Sequence, residues 1–197
     1  MKRKTFFKKI PSEEITPLEI YMRFLDDKNS YFFESVEGGE KWAKYSIIGL
    51  PTDKKIKLSD SPLDEIDDFM KSQKVERIEG LPDFTGGLVG YFSYDTIRHI
   101  EKKLSNSKKP QLNYAEISLM ISDELIVYDN YEKNLFIIVN DFEKNEKLAN
   151  SRIDEILQQI NTPLEDQENS KKNKIEFSSS VSKKDYLQNV KKIKDYI

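Results

Sequence analysis

Three apolar, strand-like runs follow one another with no helix between them: Glu116–Ile121, Leu125–Tyr128 and Leu135–Asn140. The last two flank Asp129-Asn130-Tyr131-Glu132-Lys133-Asn134, a polar stretch that reads as a hairpin turn. Earlier in the chain Tyr31–Val36, Tyr45–Leu50 and Lys54–Ser59 form a second consecutive set, the last a half-exposed strand of alternating Lys and apolar residues. Strands in runs, rather than in strict alternation with helices, constrain the chain to an α+β domain: antiparallel β-sheets packed as a sandwich with flanking helices. No internal repeat is visible.

The helices announce themselves by their starts. Thr16-Pro17-Leu18-Glu19 combines a cap, a proline at the first helical position and the acid of a capping box. Leu18, Tyr21, Met22 and Leu25 follow at helical spacing and are expected to form its buried face. Ser61-Pro62-Leu63-Asp64 repeats the cap-plus-proline signature ahead of Leu63, Ile66, Phe69 and Met70. A long strand is expected over Gly86–Tyr94, then a short helix with Ile97, Ile100 and Leu104. Residues 143–160 read as a helix with Leu148, Ile153, Ile156, Leu157 and Ile160 as core candidates. Residues 161–174 have almost no apolar content and read as a linker. A short strand, Ile175–Ser178, then precedes a final helix capped by Ser182 and Asp185, with Tyr186, Val190, Ile193 and Ile197 as its stripe. That helix carries no stop signal, so the chain reads as the front of something longer. The expected organisation is a domain over 1–160, a linker over 161–174 and the start of a second domain over 175–197.

Composition removes whole classes of function. The net charge of −3, with both signs interspersed, gives no electrostatic footprint for nucleic acid. The absence of cysteine excludes disulfides, thiolate catalysis and zinc-thiolate sites. The basic N-terminus has no long apolar run behind it, so neither a secretory signal nor a membrane span is expected, and a cytoplasmic location is. No catalytic constellation is visible. His99, among Arg98, Glu101 and Lys102, reads as a partly exposed structural residue. Gly86-Gly87-Leu88-Val89-Gly90 lacks the Gly-Lys-Ser/Thr of a phosphate loop. Its glycines read as places where another element approaches the backbone closely.

Glu34 and Ser35 interrupt an apolar strand just before a double-glycine turn. Two readings stay open. Glu34 is an exposed strand-end charge and Ser35 a turn residue; or the carboxylate pairs with an ammonium group and the hydroxyl donates to a carboxylate, the two poles of an amino acid. Lys44, Tyr45 and Ser46 would complete a small pocket if the two strands pair.

The tracts Phe33–Leu50, Gly86–Glu101, Glu116–Asn130 and Ser178–Ile197, in that order after the Thr16–Tyr21 helix start, resemble the N-terminal region of anthranilate synthase component I. The departures are Phe32-Phe33 for the family's usual Leu-Leu, Lys44 for Arg, and Asn130 where His is frequent. Lysine keeps the charge but loses the planar fork. The resemblance implies an enzyme that makes anthranilate and pyruvate from chorismate and ammonia. It also implies a glutamine amidotransferase partner, magnesium in a catalytic domain beyond this chain, and L-tryptophan as feedback effector. Glu34 and Ser35, with Lys44, Tyr45 and Ser46 as neighbours, are the implied tryptophan-binding residues, and no catalytic or metal residue falls in this chain. Two alternatives remain at this point: the related aminodeoxychorismate synthase component of folate synthesis, and a free-standing amino-acid-binding regulatory module.

Overall fold

The computed structural model describes residues 3–12, 14–26, 28–34, 44–58, 61–73, 77–104, 114–141, 143–164 and 178–197. The chain forms two units, Met1–Leu164 and Glu165–Ile197. In the first, a five-stranded sheet is built from β1 (Lys4–Pro11), β2 (Asn29–Phe33), β3 (Tyr45–Thr52), β6 (Glu124–Asp129) and β7 (Asn134–Asp141). Its order is β1-β7-β6-β3-β2, with every neighbouring pair antiparallel. A two-stranded antiparallel sheet, β4 (Gly87–Phe92) with β5 (Ile117–Ser122), packs against it. The helices are α1 (Pro17–Arg23), α2 (Pro62–Ser72), α3 (Ile97–Ile100), α4 (Glu146–Asn161) and, in the second unit, α5 (Lys183–Tyr196). The α+β class and the antiparallel pairing read from the sequence are what the chain adopts.

Side chains alternate across each strand, so the large sheet has two apolar faces. On one, Phe6, Ile48, Leu50, Ile126, Tyr128, Leu135, Ile137 and Val139 pack under Ile20 and Phe24 of α1 and Ala149, Ile153, Ile156 and Ile160 of α4. On the other, Leu125, Val127, Phe136 and Ile138 pack with Tyr45, Ile47, Leu81 and Phe84. Tyr31, Val89 and Met120, again with Ile47 and Phe84, join the two sheets.

Several sequence expectations are corrected. The N-terminal run is strand β1, not merely a basic start. Its register Phe6↔Val139 places it on the β7 edge, where Lys8 and Lys9 stay exposed and protect an outer strand from further pairing. Helix α1 has the expected capping box, Glu19 N–H to Thr16 Oγ1 at 3.2 Å and Thr16 N–H to Glu19 Oε2 at 2.8 Å. Its buried pair, however, is Ile20 and Phe24, while Leu18, Met22 and Leu25 are exposed. Two apolar stripes overlap on this helix, and the position of the sheet selects between them. Ser61 makes no side-chain cap bond, and Met70 lies outside the packed face of α2. In α4, Leu148 is 59% exposed, one residue before the buried Ala149. The Lys54–Ser59 strand reduces to an isolated bridge, Lys55↔Met120, held by Ile121 N–H to Lys54 O at 2.9 Å. Residues 35, 36, 59 and 175–177 of the expected strands lie outside the described residues.

In the second unit, α5 begins at Ser182, whose hydroxyl accepts from Asp185 N–H at 3.1 Å. Tyr186, Val190, Ile193 and Ile197 are all exposed. Among the described residues, no helix is long and apolar enough to cross a membrane.

Candidate functional site

Strands β2 and β3 form one edge of the large sheet, and the small sheet covers that edge only in part. Between them lies an open cleft of about 390 Å³ lined by Phe33, Ile47, Phe84, Leu88, Val89 and Gly90. That volume falls within the roughly 300–1,000 Å³ usual for small-molecule sites, and the lining is as apolar as such sites are. Ladder pairing sets its wall, because Phe33 lies opposite Ile47. Tyr31 stands behind Phe33 with ring centroids 5.1 Å apart.

A polar seam fixes the spacing of the sheets beside the cleft. Tyr31 Oη lies 2.8 Å from Ser122 Oγ, and Arg3 donates to the Ser122 carbonyl at 3.1 Å. Asn140 donates to the Thr85 and Asp123 carbonyls at 2.8 and 2.9 Å, and accepts from Thr5 at 2.7 Å. Burial pushes the Tyr31 phenol up to about 12, against the help of Ser122 and Arg3, and lowers Arg3. Two glycines make this seam possible. A Cβ on Gly49 would fall 1.8 Å from the Tyr31 ring. Gly86, at φ 118°, has Arg3 Nη2 and the Ser122 carbonyl within 2.2 and 2.5 Å of where its Cβ would be. The close approach expected of the Gly86–Gly90 tract is that of Arg3 and β5.

The residues singled out by sequence fall as follows. Glu34 directly follows Phe33 and is exposed; Ser35 lies outside the described residues. Lys44 precedes β3. Its ammonium lies 5.2 Å over the Tyr45 ring and 3.5 Å from Asp129 Oδ2. Its pKa is raised, by Tyr45 first and then by Asp129. Tyr45 shares a cluster with Phe84 and Ile47, which also line the cleft. Ser46 is fully buried and bonded to Asn130 Nδ2 at 3.0 Å. It alternates with Tyr45 and Ile47, on the same face as Ile48, so the sheet separates it from the cleft. Glu34 follows Phe33, the ladder partner of Ile47, so the same alternation sets it on the face of Ser46; of the described candidates only Tyr45, with the Lys44 ammonium over its ring, shares a side with the cleft wall. Phe84, Leu88 and Asp129 went unsingled. The glycine tract marks Leu88, but nothing local marks the other two. Among the described residues no three His, Asp or Glu side chains converge as a metal site would require.

The family model for chorismate binding enzymes matches residues 28–197. The chain belongs to that family. It is 36% identical to anthranilate synthase component 1 of Pseudomonas aeruginosa over 213 residues, covering 92% of this chain and 42% of that protein. The corresponding protein of Acetivibrio thermocellus gives the same identity and the same coverage. The crystal structure of anthranilate synthase component I from Streptococcus pneumoniae shares the fold, with a TM-score of 0.53 at 19% identity over 79% of this chain and 37% of that one. The chain thus spans about two fifths of the length of the curated relatives it matches.

Proposed function

We propose that this chain is the N-terminal, effector-binding part of an anthranilate synthase component I, and that the cleft between its two sheets takes L-tryptophan. The whole enzyme would convert chorismate and ammonia to anthranilate and pyruvate, with ammonia supplied by a glutamine amidotransferase subunit. The observation that carries this reading is the identity of 36% across 92% of the chain to proteins named as component 1. The cleft supports it independently, because an apolar slot suits an indole. Among the described residues no cluster of His, Asp or Glu side chains fits the magnesium ion that the whole enzyme would use. The 197 residues alone are expected to make no anthranilate.

Calorimetric titration with L-tryptophan tests the reading. Glu34→Ala should weaken binding by about 1.5–3 kcal/mol, the range for losing a hydrogen bond to a charged group. Ser35→Ala should weaken binding by about 1.5–3 kcal/mol, the usual range for a hydrogen bond to a charged group. Unchanged affinity in Phe33→Ala would remove the cleft as the tryptophan site, and in Glu34→Ala would remove that residue from it. Anthranilate fluorescence above the buffer control, with chorismate and ammonium, would refute inactivity of the chain.

A further inference from the structure

The five-stranded sheet has two outer strands, and only one of them is guarded. β1 sets the exposed Lys4, Lys8 and Lys9 along its edge and ends on Pro11. Charge and proline at an edge discourage a further strand from pairing there. β2, at the opposite edge, reads Asn29-Ser30-Tyr31-Phe32-Phe33 and carries neither. Among the described residues it pairs with β3 alone.

The register says which of its main-chain groups are left over. Asn130 N–H donates to the Lys44 carbonyl at 2.7 Å, so Lys44 turns its main chain toward β6. Alternation along β3 turns Ser46 and Ile48 the same way, and Ile47 and Gly49 toward β2. The partners of those two, Phe33 and Tyr31, use their amide and carbonyl groups on β3. The N–H and C=O of Phe32 therefore point off the edge of the sheet.

That edge opens into a groove. An open pocket of about 440 Å³ is lined by Tyr21 and Leu25 at the end of α1, by Ser30 of β2, and by Val89 and Tyr91 of β4. The helix α1 lies on one face of the large sheet and β4 on the other. A pocket that touches both can only lie past the edge, beside β2. Leu25 and Tyr91 are exposed and form its apolar lips.

We infer that this groove receives one extended segment, which joins the sheet as a further strand beside β2, and that the segment belongs to the part of the longer protein outside these 197 residues. Main-chain bonds to Phe32 would hold it, and its alternate side chains would meet Leu25 on one side and Tyr91 on the other. The matched region is 42% of the Pseudomonas aeruginosa protein, so more than half of such a protein is left to supply a strand. A second copy of this chain does not fit. Its β2 is recessed between α1 and β4 in the same way, and two recessed edges do not meet. The inference rests on the reading of the chain as part of a longer protein, and not on the tryptophan reading of the cleft.

Hydrogen exchange resolved to single amides, on the 197-residue chain and on the full-length protein, tests it. In the chain the amides of Tyr31 and Phe33 should exchange slowly and that of Phe32 freely. In the full-length protein Phe32 should exchange on the order of a hundredfold more slowly, because an amide buried in the groove needs an acceptor. The outward amides of β1 are the control and should exchange freely in both. Free exchange at Phe32 in the full-length protein would overturn the inference, as would a Phe32 already slow in the chain. Slowing that grows with chain concentration would name a second copy as the occupant and overturn it too. Equal slowing at β1 and at Phe32 would show general stiffening in place of strand addition. Free exchange at Tyr31 or Phe33 would remove the ladder on which the inference stands. Tryptophan binding succeeds or fails separately, in the calorimetric titration.

Discussion

The two faces of the five-stranded sheet are equally apolar and end in different states. On the helix side, Ile48, Ile126, Leu135 and Ile137 are fully buried beneath α1 and α4. On the other side, Leu125, Val127 and Ile138 are as deeply buried over the middle strands, but cover runs out toward β2. Ile47 is half-buried and Phe33 is 54% exposed. The difference lies in the covering element. Two helices span the helix side, whereas two strands of six residues each cannot roof five. Complete burial of a side chain such as Phe33 would contribute about 1.5–3 kcal/mol, a contribution the fold leaves unrealised there. An apolar surface becomes a binding surface where the fold stops short of covering it.

The sharpest way to break this comparison is to open a hole on the helix side. Ile137→Ala should lower the unfolding free energy by about 2–5 kcal/mol in urea denaturation. A loss below about 0.5 kcal/mol would show that the helix side is not the closed one.

The seam that holds the cover sheet offers the next effect. Burial keeps the Tyr31 phenol protonated up to about 12, while an unfolded chain releases that proton near 10. Stability from this group is fully present below about pH 10 and is lost as pH rises toward 12. By pH 11 the parent should have lost about 1.4 kcal/mol more than Tyr31→Phe, measured by urea denaturation at each pH. Parallel pH profiles would detach Tyr31 from the seam.

A smaller effect belongs to α1. Thr16→Ala removes the cap acceptor and should cost about 1 kcal/mol, read as a lower thermal midpoint. The smallest belongs to the cleft. Phe33→Ala should change stability by less than about 0.5 kcal/mol, as exposed positions do, yet weaken tryptophan binding in calorimetry. A large loss of stability there would mean that the cleft wall belongs to the closed core.

What the sequence disclosed follows from where its signals are local. The β6–β7 hairpin was legible because both strands and the turn lie within eighteen residues. The Thr16 and Ser182 caps were legible because a cap is read over four positions. Strand β1 was hidden by Lys8 and Lys9, and by a partner strand more than a hundred residues away. The buried stripe of α1 was ambiguous because Leu18, Met22 and Leu25 keep helical spacing as well as Ile20 and Phe24 do. Phe33 and Tyr45 lie on two neighbouring strands of one ladder, with Glu34 and Lys44 at their ends, so that pairing could be read directly. Phe84 reaches the cleft through sheet packing, which no local pattern encodes. Ser46 was read with its neighbours, and strand alternation alone would have turned it to the other face.

The pairing of β1 with β7 has a consequence for how the chain is made. Residues 4–11 leave the ribosome ahead of the other strands of this sheet, and their partners, residues 134–141, follow roughly 130 positions later. At about 5–20 residues per second, β1 waits roughly 6–26 s for its ladder. Phe6, Phe7 and Ile10 would otherwise be a sticky segment through that interval. The lysines at 4, 8 and 9 give the waiting segment a repulsive charge before they ever edge a sheet. Closing the sheet with its first-made strand also makes the domain's completion a late event in synthesis, because the β7 edge stays open until β7 itself has emerged.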